Sequence, residues 1–180
     1  MKRIITMFML VCLLGSMMVG CGTSEVTFKT FTPEDNSFSV DFPGEPKLDT
    51  KPVSGLAGKM TIELFTLEEK SIAYNVGRTE IPKELLNQDL DALMTSVCNG
   101  AVSSTGGTNS KIEEITVDGH AGKYLTYNAP TPEGKTLKIH EHVVLIDNII
   151  YEIQVINDND DDDKYKENRE KFFSSFKVTK

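Results

Sequence analysis

Apolar and polar residues alternate with period two through most of this chain, and the period lengthens in two places. Residues 26–31 alternate and read as a first strand, Pro33-Glu34-Asp35-Asn36 as a turn, and Phe38-Ser39-Val40-Asp41-Phe42 as a strand with three apolar residues on one face. Pro43-Gly44 suits the centre of a type II turn, because Pro presets the first dihedral and Gly tolerates the positive second one. Residues 47–53 extend briefly before Ser54-Gly55 and Ala57-Gly58 loosen the chain. Residues 59–67 and 71–79 then form a hairpin around Glu68-Glu69-Lys70.

The period changes after Pro82. Leu86, Leu90, Leu93, Met94 and Val97 recur at helical spacing, which predicts an amphipathic helix on a sheet with a stop at Asn99-Gly100. The Ser/Thr/Gly-rich residues 101–110 are expected to form a surface loop. Strand patterns resume over 111–117, turn at Asp118-Gly119, and continue over 122–127. Two longer arms, 135–146 and 149–156, are dense in Ile, Val and Leu and are expected at the centre of the sheet. A closing helix carries Tyr165, Phe172, Phe173 and then Phe176. The fold class expected is α+β: an antiparallel sheet of about six or more strands flanked by helices, in one domain over 26–180.

The N-terminus stands apart from this pattern. Lys2 and Arg3 precede an apolar run over 4–18, shorter than the ~20 residues needed to span a bilayer, and a polar stretch begins at Gly22. The junction Met18-Val19-Gly20-Cys21 resembles the lipobox of bacterial lipoproteins, with Met18 where that family usually has Leu. The resemblance implies a signal peptide over 1–20, lipid on Cys21, and a short tether over 21–25. Two acyl chains anchor stably where one does not.

Charge and cysteine use narrow the partners. The chain has a net charge of −8; without residues 1–20 it has 17 basic residues against 27 acidic ones, a net −10. That balance argues against nucleic acid and against anionic headgroups. With Cys12 in the leader and Cys21 lipidated, Cys98 is the one remaining thiol, so no internal disulfide can form.

Short blocks suggest a family for the domain. Phe38-Ser39-Val40-Asp41-Phe42-Pro43-Gly44-Glu45-Pro46, Val117-Asp118-Gly119-His120-Ala121-Gly122 followed by Tyr124, and Phe172-Phe173-Ser174-Ser175-Phe176 are similar to blocks of proteins related to PsbP, the extrinsic photosystem subunit, and of Mog-type proteins. The resemblance covers about residues 28–178. It implies an antiparallel sheet flanked by helices and carries over no catalytic residue.

Two groups could bind metal. Asp158, Asp160 and Asp162 match the first three ligand positions of a calcium loop, but Asp163 stands where the turn glycine belongs and Arg169 where the bidentate Glu belongs. Acids at a helix N-terminus also complement its dipole. His140 and His142, two apart on a strand, share a face and could begin a zinc or copper site; otherwise they lie on a solvated sheet face. Cys98, at the edge of the helical stripe, reads as a half-buried structural cysteine. Ser103-Ser104-Thr105-Gly106-Gly107 lacks the Lys of a phosphate loop, and no Gly-x-Ser-x-Gly occurs.

The function expected is that of a membrane-anchored, extracytoplasmic lipoprotein without enzymatic activity or cofactor. It is expected to bind or assemble with an envelope protein through the 101–110 loop and an exposed sheet face carrying His140 and His142. The alternative is a lipoprotein that binds a small ligand or metal ion.

Overall fold

A computed structural model describes residues 26–55 and 58–179. The leader, Cys21 and the tether lie outside these residues. The two apolar arms near the C-terminal end of the chain become β8 (Thr136–Ile146) and β9 (Ile149–Asp158), paired in antiparallel register from Ile146↔Ile149 to Leu137↔Asp158. They lie at the middle of a seven-stranded sheet. On the β9 side come β5 (Ile72–Glu80), β4 (Gly58–Glu69) and β3 (Lys47–Gly55). On the β8 side come β7 (His120–Pro130) and β6 (Thr108–Val117). Every neighbouring pair is antiparallel.

Because side chains alternate along each strand, the sheet has two apolar faces and needs a cover on each. Over one face lie α2 (Lys166–Ser175) and a small sheet in which β2 (Phe38–Phe42) is flanked by β1 (Lys29–Phe31) and β10 (Lys177–Val178). Its core is aromatic. The Phe172 ring lies 5.1 Å from Phe42 and 5.2 Å from Tyr74, and Phe176 lies 5.4 Å from Tyr151, all between ring centroids. Over the other face lies α1 (Leu90–Ser104), with Leu93 and Cys98 buried among Leu125, Tyr127, Val143 and Ile150. The fold class is the α+β architecture the alternation implies.

The helix after Pro82 differs from its expected bounds. Lys83–Asn87 is a 3-10 turn, and α1 begins only where Asp89 accepts hydrogen bonds from the N–H groups of Asp91 and Ala92 at 3.0 and 3.1 Å. Nor does it stop at Gly100. Val97, Ala101 and Val102 pack on the core, and the helix runs on until Gly106 adopts φ +64°. There Gly106 N–H donates to Ser103 O and Gly107 N–H to Val102 O, closing a Schellman cap. The expected surface loop over 101–110 therefore shrinks to residues 105–107, since its first half belongs to the helix and its last to β6. Lys123, almost wholly buried on β7, ties α1 down by donating to Asp91 in its first turn and to Glu114 at 2.5 Å.

Candidate functional site: the cleft beneath the C-terminal helix

The two features singled out in the sequence, the histidine pair and the acid run, meet. Register places Tyr124 of β7 opposite His142 of β8, with His140 two residues along on the same face. After β9 the chain makes a 3-10 turn, Asn159–Tyr165, that folds back across this face. Tyr124 Oη lies 2.5 Å from His140 Nδ1, and His140 Nε2 lies 2.8 Å from Asp162 Oδ1. The same Asp162 oxygen accepts from Arg169 Nη1 of α2 at 2.7 Å. Since an ionised carboxylate only accepts, His140 carries its proton on Nε2, and Nδ1 accepts from the tyrosine hydroxyl.

Electrostatics follow from this arrangement. Burial lowers the pKa of His140, and the Arg169 charge lowers it further, so the ring is neutral. Burial would raise the Asp162 carboxyl, but the hydrogen bond from His140 and the charge of Arg169 outweigh it and hold the pKa below the usual value. His142, stacked on Phe173 with centroids 3.9 Å apart and planes 16° apart, is pushed down to about 4 by burial and by neighbouring His140. Burial raises the Tyr124 hydroxyl.

Between α2 and the sheet, next to this network, lies a cleft of about 640 Å³. Tyr124, His142 and Phe173 line its apolar side; Lys166, Arg169 and Lys177 bring positive charge to it. The Tyr124 and His142 rings meet edge-on at 5.2 Å. Such a site can hold a small molecule by stacking and charge. Tyr124 is not activated as a nucleophile there, because His140 Nδ1 holds its proton and burial raises its pKa.

The remaining expected site residues separate. Asp158 caps the 3-10 turn, accepting from Asp160 N–H at 3.3 Å, while Asp161 pairs with Lys164. Only Asp162 of the acid run reaches the histidines. Both His140 nitrogens are engaged by protein groups, His120 is exposed at the start of β7, and among the described residues no three His, Cys, Asp or Glu side chains converge as a metal ion requires. The expected exposed face carrying His140 and His142 is corrected: His140 is 4% exposed, because the acidic turn and α2 cover it. Cys98 is fully buried, its thiol pushed up to about 12 chiefly by desolvation.

One pair went unnoticed in the sequence. Glu141 is fully buried on the α1 face of β8, opposite Gln154 and one step along from Glu152. Burial, reinforced by Glu152, holds the Glu141 carboxyl well above its ordinary range, and neither of its oxygens finds a hydrogen-bond partner among the described residues. The signal was position: a residue between two histidines on a central strand must face the opposite core.

This architecture, an antiparallel sheet with a helix on each face and a small sheet closing one of them, is that of the PsbP-type domains. No family model matches the chain, and no curated protein matches it. Among solved structures, the cyanobacterial PsbP (CyanoP) of Synechocystis sp. PCC 6803 is similar at 18% identity and a TM-score of 0.55, over 92% of this chain and 99% of that one. A Pseudomonas aeruginosa protein of unknown function is similar at 12% identity and 0.53, over 85% and 97%. LpqN, involved in cell envelope biogenesis of Mycobacterium tuberculosis, is similar at 10% identity and 0.50, over 86% and 91%. At these identities the likeness is one of fold.

Proposed function

We propose that this protein is a lipid-anchored module of the cell envelope, held on the extracytoplasmic side through Cys21, which acts by binding another envelope protein rather than by catalysis. The observation that carries the reading is the apolar run over 4–18 ending in Val19-Gly20-Cys21, directly ahead of the domain. The shared fold with an envelope protein such as LpqN is compatible with it. The polar chemistry supports the non-enzymatic part. Both His140 nitrogens are engaged, by Tyr124 and by Asp162, and the Cys98 thiol is too basic and too deeply buried to react.

Intact-mass analysis of the protein from its native membrane tests the anchor. A chain beginning at diacylated Cys21 is expected, and Cys21→Ser should release the domain from membranes; an unmodified thiol or a retained leader overturns it. Cross-linking in intact membranes followed by pull-down tests the binding role. A reproducible envelope partner is expected, and recovery of no specific protein counts against it.

A further inference from the structure

We propose that the cleft beneath α2 is a binding site for a small organic acid, an aromatic or compact apolar body bearing one carboxylate. Arg169 receives the carboxylate, and Tyr124, His142 and Phe173 receive the body. The inference holds whether or not Cys21 carries lipid, and goes beyond the protein-binding role.

Arg169 makes the case. It is 8% exposed, yet it lines the cleft. Its Nη1 is committed to Asp162 at 2.7 Å and to the Asp162 carbonyl at 3.4 Å. Among the described residues Nε and Nη2 meet no acceptor, which leaves a guanidinium edge able to grip a carboxylate with two parallel hydrogen bonds. The edge is also fixed in place: Asp162, which holds the arginine, is itself held by His140 at 2.8 Å and by Asn157 at 3.4 Å. A ligand therefore meets a donor pair that need not be ordered on binding.

Charge points the same way. In a chain of net −8, this cleft is lined by Lys166, Arg169 and Lys177 against Asp118 and Glu170, with Glu170 4.0 Å from Lys166. Asp118 is already satisfied by Lys177 at 3.1 Å and by Val178 N–H at 2.9 Å, so it does not compete for Arg169. With each of these carboxylates beside a cation, and Asp162 beside Arg169, the cleft is close to charge balance and repels an anion less than the acidic surface elsewhere. Size and lining fix the rest of the ligand. A volume of about 640 Å³ lies within the range of small-molecule sites, and the Phe173–His142–Tyr124 cluster offers ring faces and edges for stacking.

The carboxylate could belong to a free metabolite or to the C-terminus of a polypeptide, and calorimetry on the full chain in lipid nanodiscs distinguishes them. The probes are phenylacetate, its uncharged analogue 2-phenylethanol, and N-acetyl-glycyl-phenylalanine as acid and as amide. Phenylacetate should bind saturably and about tenfold more tightly than 2-phenylethanol. Arg169→Gln should weaken it about tenfold. Because Arg169→Gln could also loosen α2, Ser174→Trp, at an exposed position lining the cleft, provides a second variant: it should block binding while the fold is retained. If the peptide acid binds more tightly than phenylacetate and its amide does not bind, the carboxylate source is a polypeptide C-terminus; the reverse order assigns a free acid. The proposal is overturned if no carboxylate probe saturates below about 10 mM, if 2-phenylethanol binds equally well, or if Ser174→Trp binds unchanged.

Discussion

Nε2 of His140, on a central strand, lies 2.8 Å from Oδ1 of Asp162, in the turn that precedes the last helix. This contact fastens the C-terminal segment to the sheet, and Asp162 satisfies both a buried imidazole and a buried guanidinium. Asp162→Ala is expected to destabilise the protein by about 2 kcal/mol, since it strands two buried donors. Asp160→Ala, at an exposed neighbour in the same acid run, should change stability by no more than about 0.5 kcal/mol. Urea denaturation of the two variants checks the contrast; equal effects would refute it.

Stability should fall with acidification in a window set by His142. Its folded pKa is about 4, against 6.5 when free. Between those values the unfolded chain binds the extra proton, so the stabilisation is complete above pH 6.5 and drains away as pH drops toward 4. His140, shifted the same way, adds to the slope. Replacing His142 with Phe keeps the stack on Phe173 and removes one titration. The pH dependence should flatten by roughly 2 kcal/mol across the window, measured by urea midpoints at successive pH values.

The buried acid pair on the other face predicts the opposite trend. Glu141 holds its proton in the folded state at pH values where the unfolded chain has lost it, so its contribution is present below the free carboxylate pKa and lost as pH rises. Glu141→Gln keeps the size and shape of the side chain and cannot ionise. It is expected to stabilise the protein by about 1–2 kcal/mol at pH 8 and by much less at pH 4. Thermal melts at the two pH values measure the difference, and a variant less stable at pH 8 would contradict the assignment.

Two glycines should respond with opposite sign to the same substitution. A methyl group on Gly122 would sit 2.8 Å from the carbonyl oxygen of Val143, forcing β7 away from β8, and Gly122→Ala should cost about 2 kcal/mol or more. At Gly100, mid-helix in α1, a methyl group meets nothing within 4 Å. Gly100→Ala should therefore stabilise by about 0.5–1 kcal/mol through helix propensity alone. Chemical denaturation of both variants gives the signs directly.

Strand positions were legible because both sheet faces are covered, so alternation or dense apolar runs had to persist along each strand. The end of α1 was not. Asn99-Gly100 satisfies the local pattern for a stop, and only packing of Ala101 and Val102 on the sheet shows that the helix continues to Gly106. The site was half legible. The shared face of His140 and His142 follows from period two, but their burial depends on an acidic turn returning over them, and sequence spacing encodes no such long-range contact. Arg169, marked only as a residue out of place in a calcium loop, becomes the centre of the cleft once α2 is docked. Glu141 was hidden between two more conspicuous neighbours.

Strand β2 is paired at its N-terminal end with the last strand of the chain, Phe38↔Val178 and Ser39↔Lys177. Phe172 and Phe176, which fill the aromatic core beneath it, also come from the final segment. This half of the domain therefore closes only when residues 172–178, 130 or more positions further along the chain, reach β2. Before then, Phe38 and Phe42 stay without their native cover. A closure of such long sequence separation is slow to form and leaves apolar surface open while the chain folds.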